Sequence, residues 1–308
     1  MQSVRQCLET VASNLFYRYR VRHYPREIEK WQEVPLPAYQ WKDNNIWEGW
    51  RSAIRRSRYW WHVSEEIDQI HAYLRNQRTL QNTQPKRPAF KWPGPADANV
   101  CVFPLEDGSW LVGFDAGEFG GGLYWYNEDG SQHYKISEGP YPYPIYRFFQ
   151  IGETIYALEG MAHMDTDEGA LLRIFRLSSR ETWQVETVKK LFSCPVTAHI
   201  GKDNDVFIAL YKAIVKIKMG SPDYPIQTVC YWPWPYPYSF TSFVQSRDGS
   251  RLIIGLKQFV AEIDLTDGTT VPTAPRLLVP SRAFLSWRLR YVERRLNTQK
   301  PAKQDEHT

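Results

Sequence analysis

The feature that most constrains the fold of this 308-residue chain is a strand–turn–strand unit that recurs four times. In its first copy, Asp107-Gly108 leads into the apolar run 109–114 (SWLVGF). A glycine-rich loop follows, then a second apolar run at 122–126 (GLYWY) and a second turn at Asp129-Gly130. Runs equivalent to 109–114 begin at 154 (TIYAL), 205 (DVFIAL) and 251 (RLIIGL), in steps of 45, 51 and 46 residues. Runs equivalent to 122–126 lie at 170–175, 213–218 and 259–264. A shorter apolar run precedes each unit, at 100–103, 146–151, 196–200 and 240–245. Each of these ends in a turn: Glu106-Asp107-Gly108, Gly152-Glu153, Lys202-Asp203-Asn204 or Arg247-Asp248-Gly249. Asp, Asn and Gly tolerate the positive φ that tight hairpins need. A weaker fourth run closes the units, at 132–136, 183–188 and 226–232.

Four short antiparallel strands in every ~40–50 residues is the spacing of a propeller blade. A β-sandwich of the same hairpins would share that spacing, but the recurrence of the whole unit favours the propeller. The expected fold class is therefore mainly β, with a four-bladed β-propeller-like repeat domain over 97–280. An N-terminal helical region (1–90), a C-terminal helix (281–297) and a tail (298–308) are expected around it.

The flanks read as helices because apolar residues recur at helical spacing. Val4, Cys7, Leu8, Val11 and Leu15 mark a helix over 4–20. Asn45 is placed to cap a second one, running from 46 towards 75 through Trp47, Trp50, Ile54, Tyr59, Trp61, Ile67, Ile70 and Leu74, with a break near 62–64. Residues 76–97 are linker-like, and Phe284, Leu285, Leu289 and Val292 share one side of the C-terminal helix. No run of 18 apolar residues and no signal-like apolar segment occurs, which points to a cytoplasmic protein with no membrane partner. Cys7, Cys101, Cys194 and Cys230 are widely spaced and read as reduced, mostly buried thiols. Net charge is +6 over 1–90, −6 over 91–280 and +4 over 281–308, so an acidic β body is flanked by basic helices. Packing of the flanks on the body accounts for that complementarity. Nucleic-acid binding through Arg18, Arg20, Arg22, Arg51, Arg55, Arg56 and Arg58 is the less favoured reading, because Glu and large apolar residues interrupt the clusters.

In a propeller, blade-to-blade connectors and the loops between each blade's second and third strands lie on one face. The connectors here hold Tyr141 and Tyr143, alternating with prolines, and Trp232, Trp234, Tyr236 and Tyr238 in a second Pro-interleaved run. The second-to-third-strand loops are read at 115–122, with Glu118, and at 159–169, with Asp165 and Asp167. Proline limits the entropy lost on binding, and Tyr and Trp give large contact area with few rotors. Those nine residues form the candidate partner-binding face, although the Tyr-Pro and Trp-Pro runs would equally serve as plugs between wedge-shaped blades.

Catalytic motifs are lacking. His163, Asp165, Asp167 and Glu168 are close in sequence but lack both a calcium-loop frame and a zinc signature, so no metal is expected. Gly117, Gly120, Gly121 and Gly122 lie between strands with no following Gly-Lys-Ser/Thr, so no nucleotide or other cofactor is expected. There is no Gly-x-Ser-x-Gly.

The run Gly120-Gly121-Gly122-Leu123-Tyr124-Trp125-Tyr126, preceded by Asp115-Ala116-Gly117-Glu118-Phe119 and followed by Asp129-Gly130, resembles a segment of bacterial propeller-like proteins. Some of these accompany secreted toxins and are regarded as immunity proteins. The resemblance covers about 25 residues plus the repeat layout, and it excludes residues 1–90. It implies a non-catalytic cytosolic protein that binds and neutralises a cognate toxin. An acidic, aromatic face would suit a toxin domain with a cationic surface. The rival readings are a propeller-type hydrolase or lyase with an axial pocket, and nucleic-acid binding through the basic helices.

Overall fold

The computed structural model describes residues 27–34, 59–66, 69–76, 99–136, 144–176, 182–231, 240, 242–256, 260–266 and 276–279. The chain is mainly β. Among the described residues the only helical elements are short 3-10 turns at Ile28–Lys30, Gly117–Phe119 and Lys202–Asn204. The expected helices over 4–20 and 281–297 lie outside the described residues. The strands fall into two compact units.

One unit contains three four-stranded antiparallel meanders, each formed by strands consecutive in sequence. The first is β4 (Asn99–Pro104), β5 (Trp110–Asp115), β6 (Gly121–Tyr126) and β7 (His133–Lys135). The second is β8 (Ile145–Ile151), β9 (Thr154–His163), β10 (Thr166–Arg176) and β11 (Trp183–Leu191). The third is β12 (Pro195–Ile200), β13 (Asp205–Leu210), β14 (Ala213–Lys218) and β15 (Ile226–Tyr231). These are the first three sequence repeats. The turns take the expected conformations: Gly108, Gly130 and Gly152 have φ of +82°, +75° and +58°, and Asp203 and Asn204 have +56° and +60°. In the Asp-Gly-Ser turns at 107–109 and 129–131, the Asp Oδ1 accepts from the Ser N–H at 3.0 and 2.9 Å.

The second-strand runs are almost continuously apolar because both faces of these sheets are covered. In β9, Ile155 and Ala157 pack with Leu111 and Leu123 of the first sheet, whereas Tyr156 and Leu158 pack with Val206, Ile208 and Leu210 of the third. Fully burying side chains of this size contributes about 1.5–3 kcal/mol each. Small residues let the sheets close. A Cβ at Gly121 would stand 2.5 Å from Pro144 Cα, and one at Gly160 or Gly169 would stand 2.6 or 2.4 Å from Pro195 Cδ. Gly160 and Gly169 are directly paired across β9 and β10, so the start of the third sheet seats on a glycine pair.

The other unit holds the fourth repeat as β16 (Ser242–Gln245), β17 (Arg251–Gly255), β18 (Val260–Asp264) and β19 (Arg276–Val279). Here β1 (Gln32–Val34) adds to β19 as an antiparallel fifth strand. The sheet encloses Glu262, which accepts from Arg251 Nη1 at 3.2 Å and from Arg276 Nη1 at 3.0 Å.

From residue 59 onward the helix expected from 46 towards 75 is corrected by a strand pair, β2 (Tyr59–Glu66) antiparallel to β3 (Gln69–Asn76), while its first part, 46–58, lies outside the described residues. Trp61, Val63, Ile70 and Ala72 are buried at alternate positions, the period of a strand, against Ile253, Val260, Leu278 and Trp31. Trp31 meets Trp61 edge-on with ring centroids 4.7 Å apart. The apolar residues between 59 and 74 fit either period. The choice fell to a surface that only the tertiary fold supplies, and β-branched and aromatic residues suit a pleated, half-buried one. The Trp61 N–H donates to Leu256 O at 3.0 Å, and the hairpin packs beside β16 and β17. In the three-sheet unit, β8 meets β4 and β5 in the same way. The hairpin therefore takes the position of a next repeat.

Candidate functional site

In an antiparallel meander, the turn between second and third strands and the connector to the next sheet emerge at one end. In the three-sheet unit that end carries residues 116–120, Met164 and Asp165, residues 192–194, Tyr211 and Lys212, and the end of β15 at Tyr231. Backbone bonds extend two ladders there, from Gly160 N–H to Pro144 O at 3.1 Å and from Tyr211 N–H to Cys194 O at 2.9 Å.

The segment 159–169, expected as a loop, is a correction. β9 runs to His163 and β10 starts at Thr166, leaving only Met164-Asp165 as the turn. The polar residues there mask a strand pair whose ladder continues past the core. Met164 sits at the tip with φ of +51° and is 90% exposed. A left-handed conformation at a bulky non-glycine residue is strained.

Phe119 (75% exposed), Phe192 (48%) and Tyr231 (57%) emerge at the same end. With Met164 they make up four of the five exposed large hydrophobics among the described residues. The fifth, Ile200, lies at the opposite end of its strand. Sequence reasoning put Phe119 and Met164 in the loops 115–122 and 159–169 of the candidate face and Tyr231 at the head of the Trp-Pro run without singling them out, and it missed Phe192, because a hydrophobic residue beside a turn reads as core until its neighbours are placed.

Of the nine expected residues, three are described: Glu118, Asp165 and Asp167. Asp165 is exposed at the hairpin tip, and Glu118 lies in the 3-10 turn before β6, at the same end. Asp167 has a different environment. Its Oδ1 accepts from the Ser193 hydroxyl and the Cys194 N–H, both at 2.8 Å, and its Oδ2 pairs with Lys212 Nζ at 2.7 Å. Burial pushes its pKa up, but Lys212, the Cys194 N–H and Ser193 together outweigh this, so the carboxylate titrates below its usual range. Asp167 ties the second sheet to the third. Tyr141, Tyr143, Trp232, Trp234, Tyr236 and Tyr238 lie outside the described residues.

Glu159 lies on the face of β9 that carries Ile155 and Ala157. Burial raises its carboxyl to about 7. Asp115, at the end of β5, caps the loop by accepting from the Gly117 N–H at 2.9 Å. Burial raises the thiols of Cys101, Cys194 and Cys230 to about 12, so they are protonated at neutral pH. Among the described residues, no group of three or more His, Cys, Asp or Glu is arranged to hold a metal ion.

No family model matches the sequence, and no curated protein matches it. Solved structures do. A functionally unknown protein from Desulfotomaculum acetoxidans DSM 771 is similar over 61% of this chain and 63% of its own, with 13% identity and a TM-score of 0.36. A puromycin-hydrolyzing peptidase of Mycobacterium tuberculosis is similar over 63% of this chain and 34% of its own, with 13% identity and a TM-score of 0.37. Apo AztD from Citrobacter koseri is similar over 72% of this chain and 60% of its own, with 11% identity and a TM-score of 0.37. The chain therefore spans less than two thirds of the length of each of these three.

Proposed function

We propose that this chain is a non-catalytic, cytoplasmic protein-binding β-propeller that docks and neutralises a cognate bacterial toxin through the loop end of its three-sheet unit. In this reading the four meanders are complete blades. The observation that carries it is the exposure of Phe119, Met164, Phe192 and Tyr231 at one and the same end of the three meanders. Exposed aromatic and Met side chains on a supported edge are the composition of binding hot spots. The strained turn at Met164 holds a large apolar side chain out in solvent, where it contributes nothing to the core.

Charge supports a cationic partner. Among the described residues, Asp115, Asp165 and Glu168 lie at this end, and the exposed Lys212 there is held by Asp167. Complementary charge would speed encounter, and the apolar side chains would supply the affinity.

The test is to capture a partner from the source cell with the full chain and to co-express the two in a host whose growth the partner arrests. Wild-type chain should restore growth. Phe119→Ala combined with Met164→Glu should weaken binding at least ~30-fold, the scale of losing a hot spot of about 2 kcal/mol. Circular dichroism and Tm should not change. Unaltered rescue by the double variant, or no growth-arresting protein among those captured, would refute the proposal.

A further inference from the structure

A second feature of the three-sheet unit lies along the first strands of its sheets. β8 packs beside β4 on one side and β12 on the other, and each leaves one backbone edge outside its ladder. Two of these edge strands carry a β-bulge at the same place, between Ile145 and Arg147 in β8 and between Pro195 and Thr197 in β12. Arg147 and Thr197 are thus repeat equivalents. Bulges bend an edge strand and re-aim its side chains, and they recur beside functional sites.

Arg147 is re-aimed towards β12, where its Nη1 donates to Thr197 Oγ1 at 3.1 Å. The side chain is open to solvent, yet enough protein surrounds it for burial to lower its pKa. Among the described residues no carboxylate pairs with it, and the Thr197 hydroxyl is its hydrogen-bond acceptor. A guanidinium has five N–H donors in a planar fork, so most of its donor capacity is unspent. His199 stands two residues beyond Thr197, on the same side of β12. Its imidazole pKa is lowered by burial and then by the charge of Arg147. From β4, the Cys101 thiol contacts Ile145 O at 3.3 Å and remains a neutral neighbour. Solvent reaches the guanidinium, so an incoming anion has access to its remaining donors.

We propose that Arg147, Thr197 and His199 form a binding site for a small oxyanion, a carboxylate or a phosphate. The guanidinium fork matches two oxygens of either group. The Thr197 hydroxyl, which accepts from Arg147, keeps its own proton to donate. The imidazole borders the site from the same strand.

Inorganic phosphate and acetate are titrated separately into the full chain, against sodium chloride at matched ionic strength, following the side-chain resonances of Arg147 and His199. Saturable shifts with phosphate alone identify a phosphate site, and with acetate alone a carboxylate site. Arg147→Gln should remove saturation. Arg147→Lys, which keeps the charge but loses the fork, should weaken binding about tenfold, and Thr197→Val several-fold. If neither anion saturates above the chloride control, or if Arg147→Lys binds as tightly as wild type, the proposal is overturned. Loss of fold in the Gln variant leaves the Lys and Val variants to decide.

Discussion

Replacing Asp167 with Ala should be among the most destabilising single changes near the surface of the three-sheet unit. Its Oδ1 accepts from the Ser193 hydroxyl and the Cys194 N–H, both at 2.8 Å, and neither donor residue is exposed at all. Truncation strands both donors where water does not reach. A buried donor left unsatisfied costs about 1–3 kcal/mol, so the pair contributes about 2–6 kcal/mol, centred near 4. The ion pair adds little, because the Lys212 side chain is 65% exposed and exposed pairs contribute about 0–1 kcal/mol. Asp167→Ala should therefore lower stability by about 4 kcal/mol. Asp167→Asn, which keeps one acceptor oxygen, should cost about half that, and Lys212→Ala under about 1 kcal/mol. Urea denaturation at pH 7 reads these differences as shifts in midpoint at constant slope. A folded-state pKa below the unfolded value means the carboxylate's contribution is fully present above about pH 4 and fades as pH falls further. The gap between wild type and Asp167→Ala should close in that acid range. Equal losses from Asp167→Ala and Lys212→Ala would refute the reasoning, because the tie would then be only a surface ion pair.

Two further outcomes follow from the packing and burial. At Gly121, a Cβ would meet Phe114 O at 2.3 Å and Pro144 Cα at 2.5 Å, both backbone atoms. Gly117 has φ of +61° with nothing within 4 Å. Gly121→Ala should thus cost more than about 3 kcal/mol in chemical denaturation, and Gly117→Ala only about 1 kcal/mol of conformational strain. Glu159 has its carboxyl raised from 4.5 to about 7, so its neutral form favours the fold. Its contribution is fully present below about pH 4.3 and is lost as pH rises through 7. Glu159→Gln should remove that dependence and raise stability at pH 8 by about 1–3 kcal/mol, measured as denaturation midpoints across pH 4–8.

The repeats are legible in the sequence because their determinants are local. Asp107-Gly108, Asp129-Gly130 and Asp248-Gly249 force reversals through glycine φ of +82°, +75° and +80°. The apolar runs between them match β5, β9, β13 and β17 within a residue or so at their starts. A hairpin needs only its own turn and two neighbouring strands, so a window of twenty residues contains the information.

What the tertiary structure alone decided involves partners far apart in the chain. The aromatic stretch 59–76 satisfies helical and strand periods alike, and it became a hairpin because Ile253, Val260 and Leu278 offer a face on which Trp61 and Val63 are buried. β1 pairs with β19 across more than 240 residues, which no local pattern announces. Asp167 and Asp165 are two positions apart and chemically identical. One ties two sheets through Ser193 and Cys194, and the other stands at an exposed tip. Their difference comes from which neighbours the fold brings within hydrogen-bonding distance, because a carboxylate's role depends on its surroundings and not on its position in the sequence.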